Sequence, residues 1–147
     1  MNYVFSTEKT KRYRFPTHIN DLVMDRAEAT SSEVFVVVLA PGEAPPLHQH
    51  DDTEQIFYVL SGQGRLEIGS ERQPFPVAPG DVVRIPPATP HRIHCVGETS
   101  LTYLAVDCFP GGRPPAEPTW DSHVKGVCAA QGWAYEQVVE IKGDAIK

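Results

Sequence analysis

Seven short segments rich in β-branched and aromatic residues recur along this chain, and most of them stop at a glycine or proline. His18–Met24 (HINDLVM) is the first. Residues 33–39 (EVFVVVL) end at Pro41-Gly42, residues 55–60 at Ser61-Gly62, and residues 65–68 (RLEI) at Gly69. Residues 81–85 (DVVRI) lie between Pro79-Gly80 and Pro86-Pro87, and residues 92–96 and 101–106 follow. Strands repeated at intervals of about 8–12 residues between Gly/Pro turns predict an all-β antiparallel sandwich or barrel. At 147 residues the chain has the usual size of one domain, so a single domain over residues 1–147 is expected.

The flanks read differently. Residues 109–118 (FPGGRPPAEP) form a stiff linker or a wrapping segment. Thr119 or Asp121 then caps a short helix ending near Gly132. Residues 133–141 (WAYEQVVEI) have strand composition. This tail is expected to pack on the barrel or on a second subunit, and the first 15 or so residues to pair similarly.

The net charge of −6 and the lack of a basic run argue against nucleic acid and against an anionic membrane surface. No apolar leader opens the sequence, and no window approaches the ~18 apolar residues of a membrane span. Cys95, Cys108 and Cys128 are widely spaced and form no C-x-x-C pair. They read as reduced thiols of a cytoplasmic protein, not as a thiolate zinc cage.

The chemistry concentrates in residues 47–62, LHQHDDTEQIFYVLSG. In a strand, side chains at i and i+2 share a face, about 6.5–7 Å apart, so His48 and His50 point the same way. Two imidazoles turned into a barrel are costly unless something uses their lone pairs, and a divalent metal does so. By itself, H-x-H is equally a surface pair. Residues 80–91 (GDVVRIPPATPH) add a turn, a strand, a proline corner and His91, which can reach the first two if the strands are neighbours.

Together these two stretches resemble the paired motifs of the cupins, a family of small double-stranded β-helix or jelly-roll barrels. The first motif, G-x5-H-x-H followed by a carboxylate and a closing glycine, is matched from Gly42 through His48 and His50 to Gly62. The second is matched from Gly80 through Pro86 and His91 to Cys95. The resemblance covers about residues 33–108, which it makes the barrel core. Ala88 stands where the motif has a turn glycine, and Cys95 where it has asparagine.

A third departure is chemical. Counting back from Gly62 puts Gln55 at the carboxylate position, with Glu54 one residue early. A one-residue shift turns a strand side chain to the other face, so only one of the two points inward. The Gly62 turn favours Gln55, leaving Glu54 with Asp51 and Asp52 on an acidic rim.

The resemblance thus implies a metal held by His48, His50, Gln55 and His91. All four donors are neutral, so the ion keeps its full charge and its Lewis acidity. They suit zinc, iron, nickel or copper, with manganese less favoured. Phe57, Val59, Val83, Ile85 and Ile93 are expected to line the cavity or fill the core. His94 is expected on the surface, and His18 and His123 outside the site. Catalytic residues are not identified; Glu54 is a weak candidate base.

The function this implies is a metal-binding enzyme acting on a small carbonyl, sugar-derived or aromatic compound, of isomerase, lyase or dioxygenase type. The rivals are a non-catalytic small-molecule-binding or sensing barrel and a metal-free structural barrel. Edge strands and the family's habit together imply a homodimer.

Overall fold

The computed structural model describes residues 2–141. In chain order, among these residues, it contains β1 (Lys11–Phe15), β2 (His18–Met24), β3 (Ser32–Leu39), β4 (Glu54–Ser61) and β5 (Gly64–Ile68). Then come β6 (Gln73–Val77), β7 (Val82–Ile85), β8 (His91–Cys95), β9 (Leu101–Cys108), α1 (Trp120–Gln131) and β10 (Val139–Ile141). Two antiparallel sheets, β10-β1-β2-β3-β9-β4-β7 and β6-β5-β8, face each other as a jelly-roll barrel.

Alternation drives the packing. Every second residue of β9 (LTYLAVDC) is buried, and β7 and β8 alternate in the same way. The apolar run of β4 does not alternate in composition, yet it alternates in burial. Gln55, Phe57 and Val59 turn inward while Tyr58 and Leu60 stay exposed. Phe57, Leu101 and Tyr103 of the larger sheet meet Leu66, Val77 and Ile93 of the smaller one.

Gly62 ends β4 at φ +85°, and a Cβ there would lie 2.3 Å from the Ser100 carbonyl oxygen and 2.7 Å from Leu101 Cα. Both contacts are backbone and cannot swing away. Gly62→Ala is therefore expected to cost about 2–4 kcal/mol of stability, combining a left-handed backbone with overpacking. Urea unfolding measures it; a loss under about 1 kcal/mol would contradict this packing.

Two expectations from the sequence are corrected, and one strand was not foreseen. β6 (QPFPV) is a strand despite two prolines, because it lies at a sheet edge where missing ladder donors are tolerated. In the tail only Val139–Ile141 is a strand; Tyr135–Gln137 form a 3₁₀ turn first. That strand pairs with β1 of the same chain. Finally, His48 and His50 are not in a strand at all.

α1 runs from a Thr119 capping box to Gly132 at φ +75°. Trp120 lies 4.7 Å from Phe35 and 6.1 Å from Tyr13 between ring centroids, which seats the helix on the larger sheet. Residues 109–118 wrap and do not merely link. The Arg113 guanidinium donates to the carbonyls of Arg26 and Ala29, and Arg26 donates to that of Glu117. The Trp120 amide donates to Asp25.

Candidate metal centre

A single bridge outside the ladders builds the site. The His48 amide donates to the His91 carbonyl at 3.2 Å, and the His91 amide donates back at 2.9 Å. Such a reciprocal pair sets both side chains on one face. His50 is fixed next, its carbonyl accepting from the Ala88 amide at 2.7 Å. Ala88 reaches it by adopting φ +57°, a left-handed conformation that glycine would hold without strain. The convergence of His48 and His50 comes from these two anchors, not from strand periodicity.

The ligand nitrogens of His48, His50 and His91 all lie within 4.8 Å of one another. Nδ1 of His48 donates to the Pro46 carbonyl at 2.6 Å, and Nδ1 of His91 to the Thr89 carbonyl at 2.9 Å. Each bond fixes the ring and leaves Nε2 as a bare lone pair. Nε2 of His91 is buried with no partner.

Gln55 lines the same cavity. Its Nε2 donates to Asp107 Oδ1 at 2.8 Å, while its Oε1 is buried and unpartnered. Glu54 turns outward and pairs with Arg84 at 2.9 Å. Three imidazoles with converging nitrogens and an orphaned amide oxygen fit a divalent transition metal and are otherwise hard to account for.

Behind Gln55 lies a buried charged row. Asp107 on β9 stands across from Gln55 on β4 and from Glu33 on β3. Arg26 grips Glu33 with two bonds, at 2.7 and 2.8 Å. Burial, and then the hydrogen bond and charge of Glu33, hold the Asp107 carboxyl well above the usual carboxylate range.

The imidazoles open on a cavity of about 400 Å³. Phe35, Phe57, Tyr103, Trp120 and Trp133 supply its apolar wall, and among the described residues no lysine or arginine lines it. α1 forms its roof and carries His123, 6.3 Å from His50 between ring centroids. His123 Nδ1 sits 2.9 Å from Glu117 Oε1. The hydrogen bond to His123 holds the Glu117 carboxyl below its ordinary range.

His18 and His123, expected outside the site, both line this cavity. His18 enters because it stacks on Phe15 at 4.6 Å, at the turn between β1 and β2. His123 enters because the proline-rich segment wraps back over the barrel; reading that segment as a strap would have placed the helix there. His94 points away and pairs with Glu67. Phe57, Ile93 and Tyr103 line the cavity, while Val59, Val83 and Ile85 are buried in the core away from it.

Burial keeps these imidazoles neutral. It pulls His50 and His18 down to about 3 and His91 to about 4, the neighbouring imidazoles adding to it, and it lowers His48 as well. In the unfolded chain histidine protonates near pH 6.5. Below that pH the unfolded state binds more protons, so stability present at pH 7 is lost as pH falls toward 4. The raised Asp107 carboxyl acts in the opposite sense and offsets part of this loss. The metal-free protein is thus expected to lose about 1–3 kcal/mol per pH unit between pH 6 and 5. Urea unfolding at pH 7, 6 and 5 measures this; a flat profile contradicts it.

Residues 35–107 match the family model described as a cupin domain. An uncharacterised protein of Methanocaldococcus jannaschii, MJ1618, is 37% identical over 80 residues, 54% of this chain and 62% of that one. Quercetin 2,3-dioxygenase of Bacillus subtilis is 33% identical over 93 residues, 62% of this chain and 27% of that one. The chain thus spans less than two thirds of either protein. Among solved structures, a predicted oxalate decarboxylase from Thermotoga maritima superposes with a TM-score of 0.66 at 22% identity, covering 73% of this chain and 99% of that one.

Proposed function

Because the chain belongs to the cupin family, we propose that it is a metal-dependent enzyme acting on a small molecule through a carbonyl or enol oxygen, of isomerase or dioxygenase type. One observation carries the reading: three imidazole nitrogens within 4.8 Å of one another, on a largely apolar cavity that an unpartnered Gln55 amide oxygen also lines. His48, His50, Gln55 and His91 would hold the metal, which when bound supplies a Lewis acid for a substrate oxygen or a water.

The chain's own residues do the rest. The aromatic wall binds an apolar body and excludes water. The lack of a lining lysine or arginine among the described residues disfavours phosphorylated or polyanionic compounds. His123, its Nδ1 held by Glu117, leaves Nε2 to take or return a proton at the bound substrate. No other histidine in the cavity is braced by a carboxylate in this way among the described residues.

Metal analysis after reconstitution with zinc, iron(II), nickel or copper tests the first half, with about one equivalent expected. Less than about a tenth of an equivalent overturns it. Turnover of a panel of enolisable and aromatic hydroxy-carbonyl compounds by the metal-loaded protein, lost in His123→Gln with metal content unchanged, supports the second half. A ligand that binds without turnover, and binds His48→Ala equally well, makes the protein a binding module.

The same reading takes the protein as a homodimer joined along the edge of β7, where Tyr58, Leu60 and Val82 are exposed on the outer face. Light scattering that gives a monomer mass at micromolar concentration overturns this. Its three free thiols support a reducing, cytoplasmic setting.

A further inference from the structure

We infer that Asp107 is a positioning residue: it decides which end of the Gln55 amide faces the three imidazoles, and so whether that side chain is a ligand at all. The inference rests on the metal reading above.

The two ends of a glutamine amide have nearly the same size and shape, so packing alone does not choose between them. Only hydrogen bonding does. Asp107 Oδ1 sits 2.8 Å from Gln55 Nε2 and accepts from it, which turns Oε1 the other way. A reversed amide would press oxygen against oxygen at Asp107. It would also offer N–H groups, and no lone pair, toward a cation.

Asp107 is itself held in a fixed sense. β9 runs between β3 and β4, and Asp107 stands in register with Glu33 on one side and Gln55 on the other. Glu33 is fully buried and gripped by Arg26 through two bonds. Arg26 also donates to the Glu117 carbonyl and lies 4.9 Å from the Phe109 ring centroid. A guanidinium only donates. Both Glu33 oxygens are taken up by Arg26, and Asp107 Oδ1 is the acceptor that Gln55 Nε2 meets.

This predicts an unusual order among variants. Asp107→Asn keeps an acceptor toward Gln55, so it preserves that bond. Asp107→Ala removes the acceptor while leaving the Arg26–Glu33 pair intact, so the fold is expected to survive. The experiment titrates the full-length metal-free chain with cobalt(II) against a chromophoric chelator and records the visible spectrum of the cobalt-loaded protein. Thermal unfolding of each metal-free variant is run alongside.

Asp107→Asn is expected to bind within about threefold of wild type with the same spectrum. Asp107→Ala is expected to bind about 10–100-fold more weakly, with shifted ligand-field bands. If the alanine variant does not fold, Asp107→Ser, whose hydroxyl stops short of Gln55, takes its place with the same expectation. An alanine or serine variant matching wild type in affinity and spectrum overturns the inference and leaves the metal reading standing. So does an Asp107→Asn variant that falls as far as alanine, because charge and not acceptor geometry would then be at work. Wild type that binds no cobalt overturns the metal reading and this inference with it.

Discussion

Replacing His91 with alanine is expected to lower the affinity of the protein for zinc or cobalt by about a hundred- to a thousandfold. Cation affinities of about 10–16 kcal/mol, spread over four donors, assign each about 2.5–4 kcal/mol, which is about two to three decades. His91 is the most buried of the three imidazoles, at 3% exposure. Its Nδ1 is tied to the Thr89 carbonyl, and its Nε2 has no partner. The nitrogen therefore waits in place, with no rearrangement to offset its contribution.

His94→Ala is the matched control, three residues along the same strand but on the outer face with Glu67. It is expected to leave metal affinity within about twofold. Isothermal titration on both variants makes the comparison. Equal affinities for the two would mean that the bridge between His48 and His91 organises only backbone.

Arg26→Met is expected to cost about 3–5 kcal/mol of stability, the usual penalty for stripping one partner from a buried pair. Arg26 is 2% exposed and Glu33 is 0% exposed. Without the guanidinium, two carboxyl groups remain side by side in the interior with no cation. The strap also loses its hydrogen bond at the Glu117 carbonyl.

The double variant Arg26→Met/Glu33→Leu is expected to recover more than half of the loss, since an apolar pair of similar volume removes the stranded charge. Urea unfolding of the single and double variants completes the cycle. A loss below about 1 kcal/mol for Arg26→Met, or no recovery in the double variant, would show that water reaches this row.

Most strands were legible because their determinants are local. Residues 33–39, 55–60 and 101–106 carry β-branched runs between turn residues, and β3, β4 and β9 begin or end within two residues of those limits. The inward turn of Gln55 was readable from Gly62, because a backbone that must be left-handed fixes the register behind it. β6 was not legible, since its prolines mask a strand that only an edge position permits. Nor was the true origin of the His48–His50 convergence, which depends on a bridge to a residue more than forty positions away.

The charged row escaped for a related reason. Arg26, Glu33 and Asp107 look like ordinary surface charges until three strands are laid side by side. His123 depended on knowing that a proline-rich segment folds back and not outward. In each case the missing information was a long-range contact, which composition and spacing do not carry.

The roof over the cavity has a consequence for kinship. The match to the family spans residues 35–107. Phe15, His18, Glu117, Trp120, His123 and Trp133, which also face the chamber, all fall outside that span. Whatever the shared barrel contributes in common, the shape of the space above it is written in the two ends of the chain. Two proteins with the same barrel can therefore admit quite different guests, and grafting one set of ends onto another's barrel becomes a route to exchanging what enters.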